Sequence, residues 1–332
     1  PYQYLDTVLE VLADMVLHPL LMPEEINKEK AVILEEIKMY KDQPQSYVYE
    51  LLDELLWPAH PLGQPIIGTT ESVSQIKREE LLSFKERYYS PFNIVVSAAG
   101  RLSHNKLARA VGKAFSSKAK EKRTGFLKAV EAQGKAQLKI LIKDTEQTHM
   151  ALGFHALSRS HPLRHALGLL NIILGANMSS RLFNELREKK GLAYEIGSGV
   201  KRFYDTGAFL VHAGIDNRKV GEAIRLILAE LNKTKDELVT QDEFRRAKEF
   251  YIGQLVLMLE DTLDHMLWIG ESQVALDRTF TGQAIIKEVK KLKREDIRKV
   301  AGMIFCKEKI NIALIGPSGQ AQDELYNSLK LD

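Results

Sequence analysis

Apolar positions along this chain recur with two periods, one near 3.6 residues and one near 2, and the change from one to the other lays out its elements. From residue 2 to 17, Leu5, Val8, Leu9, Leu12, Met15 and Val16 fall on one helical face. Pro19 and Pro23 break that pattern, and Glu24 opens a second helix whose early acids suit its dipole. This helix runs through Ile26, Ala31, Val32, Ile33 and Ile37 to about Tyr40, and Ser46 caps a third over Tyr47 to Leu56. Pro58, Pro61 and Pro65 mark a surface loop, a helix from Arg78 stops before Ser90-Pro91, and residues 93–99 read as a buried strand. Residues 104–115 form another amphipathic helix.

Beyond Gly125 the pattern shifts toward strands. Gln137–Ile142 and Met150–His155 read as neighbours, followed by a helix opened by Ser160 and Pro162 that reaches Leu174. A loop over residues 175–180 leads into a short helix, Arg181–Lys189, stopped by Gly191. Strands Tyr194–Phe203 and Ala208–Ala213 join at Asp205-Thr206-Gly207. Helices at 217–232 and 240–258 come next, then further helix, then a strand at 310–315. The mixture predicts an α+β fold of helices packed on a mostly antiparallel sheet.

The same pattern occurs twice. Lys77-Arg78-Glu79 leads without a gap to Gly100, and Lys293-Arg294-Glu295 leads without a gap to Gly316, an offset of 216 residues. A shared period of that length means two homologous halves rather than a solenoid. The domains expected are a remainder of the first half over residues 1–115, a polar linker over 116–134 and a second half over 135–332. The second half starts near Gln137, so the repeat predicts an absence of about 80 residues from the first. Pro1 stands where a native chain has Met, which fits an N-terminal piece removed or not supplied.

Composition narrows the class. A net charge of +3, with basic and acidic residues interleaved, argues against a nucleic-acid footprint. No run of 18 apolar residues exists to span a membrane. The single cysteine, Cys306, rules out an internal disulfide and reads as core rather than nucleophile; with no targeting segment it points toward a bacterial cytoplasm.

Two constellations carry candidate chemistry. Glu29 and Glu36 are seven residues apart on one helix, so both carboxylates share a face while Glu35 points elsewhere. From spacing alone, a solvated acidic face among Lys28, Lys30 and Lys38 is the plainer reading. Matching Glu24-Glu25-Ile26 to Asp242-Glu243-Phe244 places Ala247 and Gln254 opposite Glu29 and Glu36, so the second copy keeps the helix without the carboxylates. Arg187 and Tyr194 form the other pair. A tight reversal at Gly191 brings guanidinium and phenol to one cleft as donors to a carbonyl or oxyanion; the alternative is a charged helix end beside a sheet tyrosine.

The segments Glu29 to Asp42 (EKAVILEEIKMYKD) and Ser179 to Tyr194 (SSRLFNELREKKGLAY) resemble the M16 metallopeptidases, the inverted zincins that include pitrilysin, insulin-degrading enzyme and mitochondrial processing peptidase. The likeness is strongest to bacterial processing-peptidase-like members and covers the whole chain. It implies a zinc endopeptidase that encloses peptides or unfolded protein segments between paired two-domain units, as a homodimer or with a related M16 subunit. It also implies Glu36 as the third Zn2+ ligand, Glu29 as a carboxylate orienting a zinc-bound histidine, and Arg187 and Tyr194 as substrate and oxyanion contacts. The family's His-x-x-Glu-His motif lies about 75 residues before the distal glutamate, which falls before Pro1. None of the 332 residues forms that motif: His161-Pro-Leu-Arg-His165 has no acid between its histidines, and the remaining histidines stand alone. The chain by itself is therefore expected to be inactive. The competing expectation is a non-catalytic structural or substrate-binding relative, and an in-frame His-x-x-Glu-His ahead of Pro1 is what separates the two.

Overall fold

The computed structural model describes residues 2–115 and 125–317. Its helices, in chain order, are α1 (Leu5–Leu17), α2 (Pro23–Lys41), α3 (Pro44–Leu56), α4 (Thr70–Gln75), α5 (Arg78–Tyr88) and α6 (His104–Ala114). They continue with α7 (Arg164–Leu174), α8 (Val220–Asp236), α9 (Gln241–Glu260), α10 (Thr262–Leu276), α11 (Gly282–Lys291) and α12 (Arg294–Ile304). The strands are β1 (Gln137–Ile142), β2 (Gln147–Ala156), β3 (Ala193–Arg202), β4 (Gly207–Asp216) and β5 (Asn311–Gly316).

The chain forms two compact units, neither of them one continuous segment. The first comprises Pro1–Lys38, Ile67–Leu127 and Leu257–Phe280; the second comprises Met39–Ile66, Lys128–Val256 and Thr281–Asp332. The linker expected at 116–134 falls partly on residues 116–124, which lie outside the described residues. From Lys128 onward it belongs to the second unit, where the Ala129 N–H donates to Asp205 at 2.9 Å, and Thr206 Oγ1 donates to Glu131 at 2.6 Å.

In the second unit all five strands join one sheet in the order β1-β5-β2-β4-β3, antiparallel except for the β1–β5 pair. One face buries Met150, Leu152, Phe154, Phe209 and Val211. On the other lies α3, whose Val48, Leu52 and Leu56 pack with Ala151, Leu210 and Ala313. The approach is close at Gly153, where a Cβ would lie 3.0 Å from Leu52 Cδ2.

The duplication is visible in hydrogen bonds. Lys77 N–H donates to Glu80 at 2.8 Å, and Lys293 N–H to Asp296 at 2.8 Å, so α5 and α12 start on the same reach-back from their third residue. Lys30 Nζ donates to the Ser74 carbonyl at 3.2 Å, and Lys248 Nζ to that of Lys290 at 2.9 Å. Arg78 Nε donates to Leu21 O at 2.8 Å, and Arg294 Nη1 to Val239 O at 3.3 Å. Each pair of contacts matches at the offsets of 216 to 218 residues read from the sequence. The same residue positions are thus joined in both copies.

One expected element is absent. Residues 94–99 belong to no sheet, and Val95 and Val96 are exposed rather than buried. Their counterpart β5 is held by β1 and β2, and none of these 332 residues stands at the same offset from either strand. Without ladder partners an apolar run cannot become a strand. The segment instead lies against α10, where Ser97 Oγ donates to Met266 O at 2.7 Å.

Candidate active site

Glu29 and Glu36 stand on α2 in the first unit, both solvent-exposed. Neither makes an ion pair among the described residues, whereas the neighbouring Glu35 is taken by Lys38 at 2.7 Å. The equivalent of Glu29 on α9 is Ala247, only 2% exposed, so the helix face that carries Glu29 is a packing face in the other copy. An ionised side chain on such a face costs packing unless a counter-charge meets it. Among the described residues no three His, Cys, Asp or Glu side chains are placed to hold a metal ion, so these residues alone do not fit zinc.

Arg187 and Tyr194 are brought together in the second unit. Residues 183–189 wind with the wider π pitch, and Gly191 at φ 57° ends them, a left-handed conformation natural to glycine. The Leu192 N–H then donates to Leu186 O at 2.8 Å, turning the chain into β3. There the ladder slips: Ala193 pairs with Ile215 and Glu195 with Gly214, leaving Tyr194 as the extra residue of a bulge. The result aims Tyr194 outward, 75% exposed, with the Arg187 guanidinium 5.5 Å from its ring centre and 4.9 Å from that of Phe183. Phe183, which the sequence did not single out, thus offers the guanidinium a second ring.

Two anchors fix this corner. Arg181 clasps Glu243 with both arms of its guanidinium, Nε to Oε1 at 2.7 Å and Nη2 to Oε2 at 3.0 Å. Burial pushes the Glu243 carboxyl up, but hydrogen bonds from Arg181 and Thr240 outweigh it and bring the pKa down to about 2. Ser198 N–H donates to the Gly175 carbonyl at 3.0 Å, and a Cβ on Gly175 would meet Ser198 N at 2.6 Å. The loop after α7 is therefore pinned to β3 at a position only glycine fits.

The remaining candidates separate cleanly. His165 is buried, with Nδ1 2.9 Å from the Tyr251 hydroxyl and Nε2 3.1 Å from Glu288; burial, with help from Arg164, lowers its pKa to about 4. Nδ1 is engaged, whereas Nε2 is buried without a hydrogen-bond partner among the described residues despite lying near Glu288, and His161 Nδ1 accepts from Leu163 N–H at 3.0 Å. Cys306 is half-buried. His149 and His212, isolated in sequence, share one pocket of the sheet. No described helix is long and apolar enough to cross a membrane.

Comparison with known proteins places this architecture. Residues 1–70 match the family described as insulinase (peptidase family M16), and residues 75–251 match the peptidase M16 inactive domain. YmxG of Bacillus subtilis, named an uncharacterized zinc protease, is 36% identical over 318 residues, which cover 96% of this chain and 76% of that protein. A Streptomyces coelicolor protein of the same description is 34% identical over 325 residues, covering 94% and 69%. A protease from Helicobacter pylori superposes with a TM-score of 0.87 at 25% identity, over 95% of this chain and 78% of that one. A peptidase M16 inactive domain from Pseudomonas fluorescens gives 0.87 at 21% identity, over 94% and 74%, a likeness of fold. Taken with the duplicated helices and the single five-stranded sheet, these matches show that the chain belongs to the M16 family of peptidases.

Proposed function

We propose that this chain serves a zinc-dependent endopeptidase acting on peptides or unfolded protein segments. In this reading Glu36 is the carboxylate ligand of the metal, and Glu29 orients an imidazole bound to it. The imidazoles come from a His-x-x-Glu-His segment outside these 332 residues, since the described side chains do not fit zinc by themselves. Arg187 and Tyr194 hold the substrate backbone and donate hydrogen bonds to the carbonyl under attack. The observation that carries the reading is the Arg187–Tyr194 pair. An aromatic hydroxyl on a bulge, exposed and steadied by a guanidinium at 5.5 Å, is a preformed donor group with no duty in the core.

A second reading, a non-catalytic M16 subunit that binds peptide without cutting it, draws support from the match of residues 75–251 to the inactive domain. Binding and cleavage separate the two. With zinc-free protein and a fluorescent unstructured peptide, Arg187→Ala is expected to weaken binding about tenfold, the worth of a charge-assisted hydrogen bond. Tyr194→Phe is expected to weaken it less, and binding unchanged in both variants would sink the substrate-contact role. In protein carrying the His-x-x-Glu-His segment, Glu36→Gln should lower zinc content measured by mass spectrometry; zinc retained stoichiometrically would refute Glu36 as ligand. Zinc loaded without any peptide cleavage would decide for the second reading.

A further inference from the structure

The face of the sheet beneath the first turn of α3 holds a polar pocket of about 240 Å³ that the proposed reaction does not use. His149, Gly214 and Glu195 lie side by side across β2, β4 and β3, and His212 is two residues from Gly214 on the same face. Tyr49 and Ser46 of α3 close one wall. Room for the cluster is made by Gly197, where a Cβ would lie 2.6 Å from His212 Cε1. The Tyr49 and His212 rings stand 6.0 Å apart, and His212 Nε2 is 3.7 Å from Glu195 Oε1.

The charge balance of this pocket is one-sided. Glu195 has no lysine or arginine partner among the described residues, and its side chain, 66% exposed, stands at the mouth. Burial lowers the pKa of both His149 and His212 against the opposing pull of Glu195, so near neutral pH the imidazoles are uncharged acceptors. Burial, and then Glu195, push the Tyr49 phenol up to about 12, so it keeps its proton. Neutral polar walls around one uncompensated carboxylate repel an anion and welcome a cation. A metal ion is not the match, because no three ligating side chains converge here. An ammonium or guanidinium, with several N–H donors, suits the carboxylate and the imidazole lone pairs together.

We propose that this pocket receives a lysine or arginine side chain of a peptide held against Tyr194, with Glu195 as its counter-charge and His149 and His212 as acceptors. The assignment rests on the peptide-binding reading of Tyr194, the residue immediately before Glu195 and therefore about 3.8 Å away at Cα. It makes Glu195 a specificity residue rather than a catalytic one.

Two measurements on the zinc-free full chain test it. In the first, n-butylammonium is titrated while the imidazole resonances of His149 and His212 are followed by NMR. Saturable shifts are expected, and their absence in Glu195→Gln; shifts that do not saturate, or that persist in the variant, overturn the pocket. In the second, two unstructured peptides differing only by lysine or norleucine are compared near about pH 7.5. The lysine peptide is expected to bind about tenfold more tightly, and the preference to vanish in Glu195→Gln. Equal affinities in the unaltered protein, or a preference that survives in the variant, overturn the assignment. Tyr194→Ala separates the two readings: weakening of both peptides alike supports the shared placement, and no change in either removes the peptide from this face while the amine titration still judges the pocket.

Discussion

Trp57→Ala is expected to lower the unfolding free energy by about 3–5 kcal/mol, among the largest costs available to a single core truncation. Trp57 ends α3, is 1% exposed, and stands edge-on to His155 at 5.8 Å and Phe203 at 5.4 Å. Its removal empties the joint at which α3 meets β2 and the turn after β3. At the size of this chain the loss is read as a fall in melting temperature of about 2–4 °C per kcal/mol. Trp57→Phe should cost distinctly less than the alanine change. The indole Nε1 is buried without a hydrogen-bond acceptor among the described residues, and replacing the ring relieves that orphaned donor while keeping most of the apolar contact. Thermal and urea unfolding followed by circular dichroism give both numbers. A phenylalanine variant as weak as the alanine variant would mean that the indole N–H does have a partner.

Arg181→Ala is the second large effect, expected at about 2–4 kcal/mol, because it strands the Glu243 carboxylate at 20% side-chain exposure without its two-armed partner. Its pH dependence follows from the sign of the shift. Glu243 is held at about 2 in the fold against an ordinary 4.5, so its stabilisation is complete above about 4.5 and is lost as pH falls through about 2. The stability gap between the unaltered protein and the variant should therefore be flat near neutrality and close across that acid window. A gap that holds constant down to pH of about 2 would show that the fork contributes packing, not charge.

Periodicity reported most of the helices and the second-half strands within a few residues because their apolar positions are regularly spaced, but it passed over the short α4 and left α10 to α12 undivided. It failed at 93–99 for a physical reason: an apolar run says that a strand is possible, but a ladder needs neighbours, and β1 and β2 have no copies within these residues. The assignment of α3 to the sheet of the second unit was equally hidden, since Val48, Leu52 and Leu56 state that one face is buried without naming what covers it. At the site, the seven-residue spacing of Glu29 and Glu36 was legible because a helix converts spacing directly into direction. The pairing of Arg187 with Tyr194 was legible only as far as the turn at Gly191. The π winding and the bulge that aim the two side chains are departures from regular pitch, which no repeat of apolar residues encodes. His149, Glu195 and His212 are 46 and 17 residues apart in sequence and become neighbours only through strand register.

The bulge at Tyr194 has a consequence for how such a chain can change over time. Because Ala193 and Glu195 already pair with successive residues of β4, the ladder has no need of the residue between them. Loss of a single codon at that point would close the strand into regular pairing and leave the sheet in register. Substitution elsewhere in β3 alters a folded core, whereas this one deletion erases the outward phenol at little structural cost. A protein descended from this chain can therefore lose that exposed phenol in one genetic step while β3 and β4 stay paired.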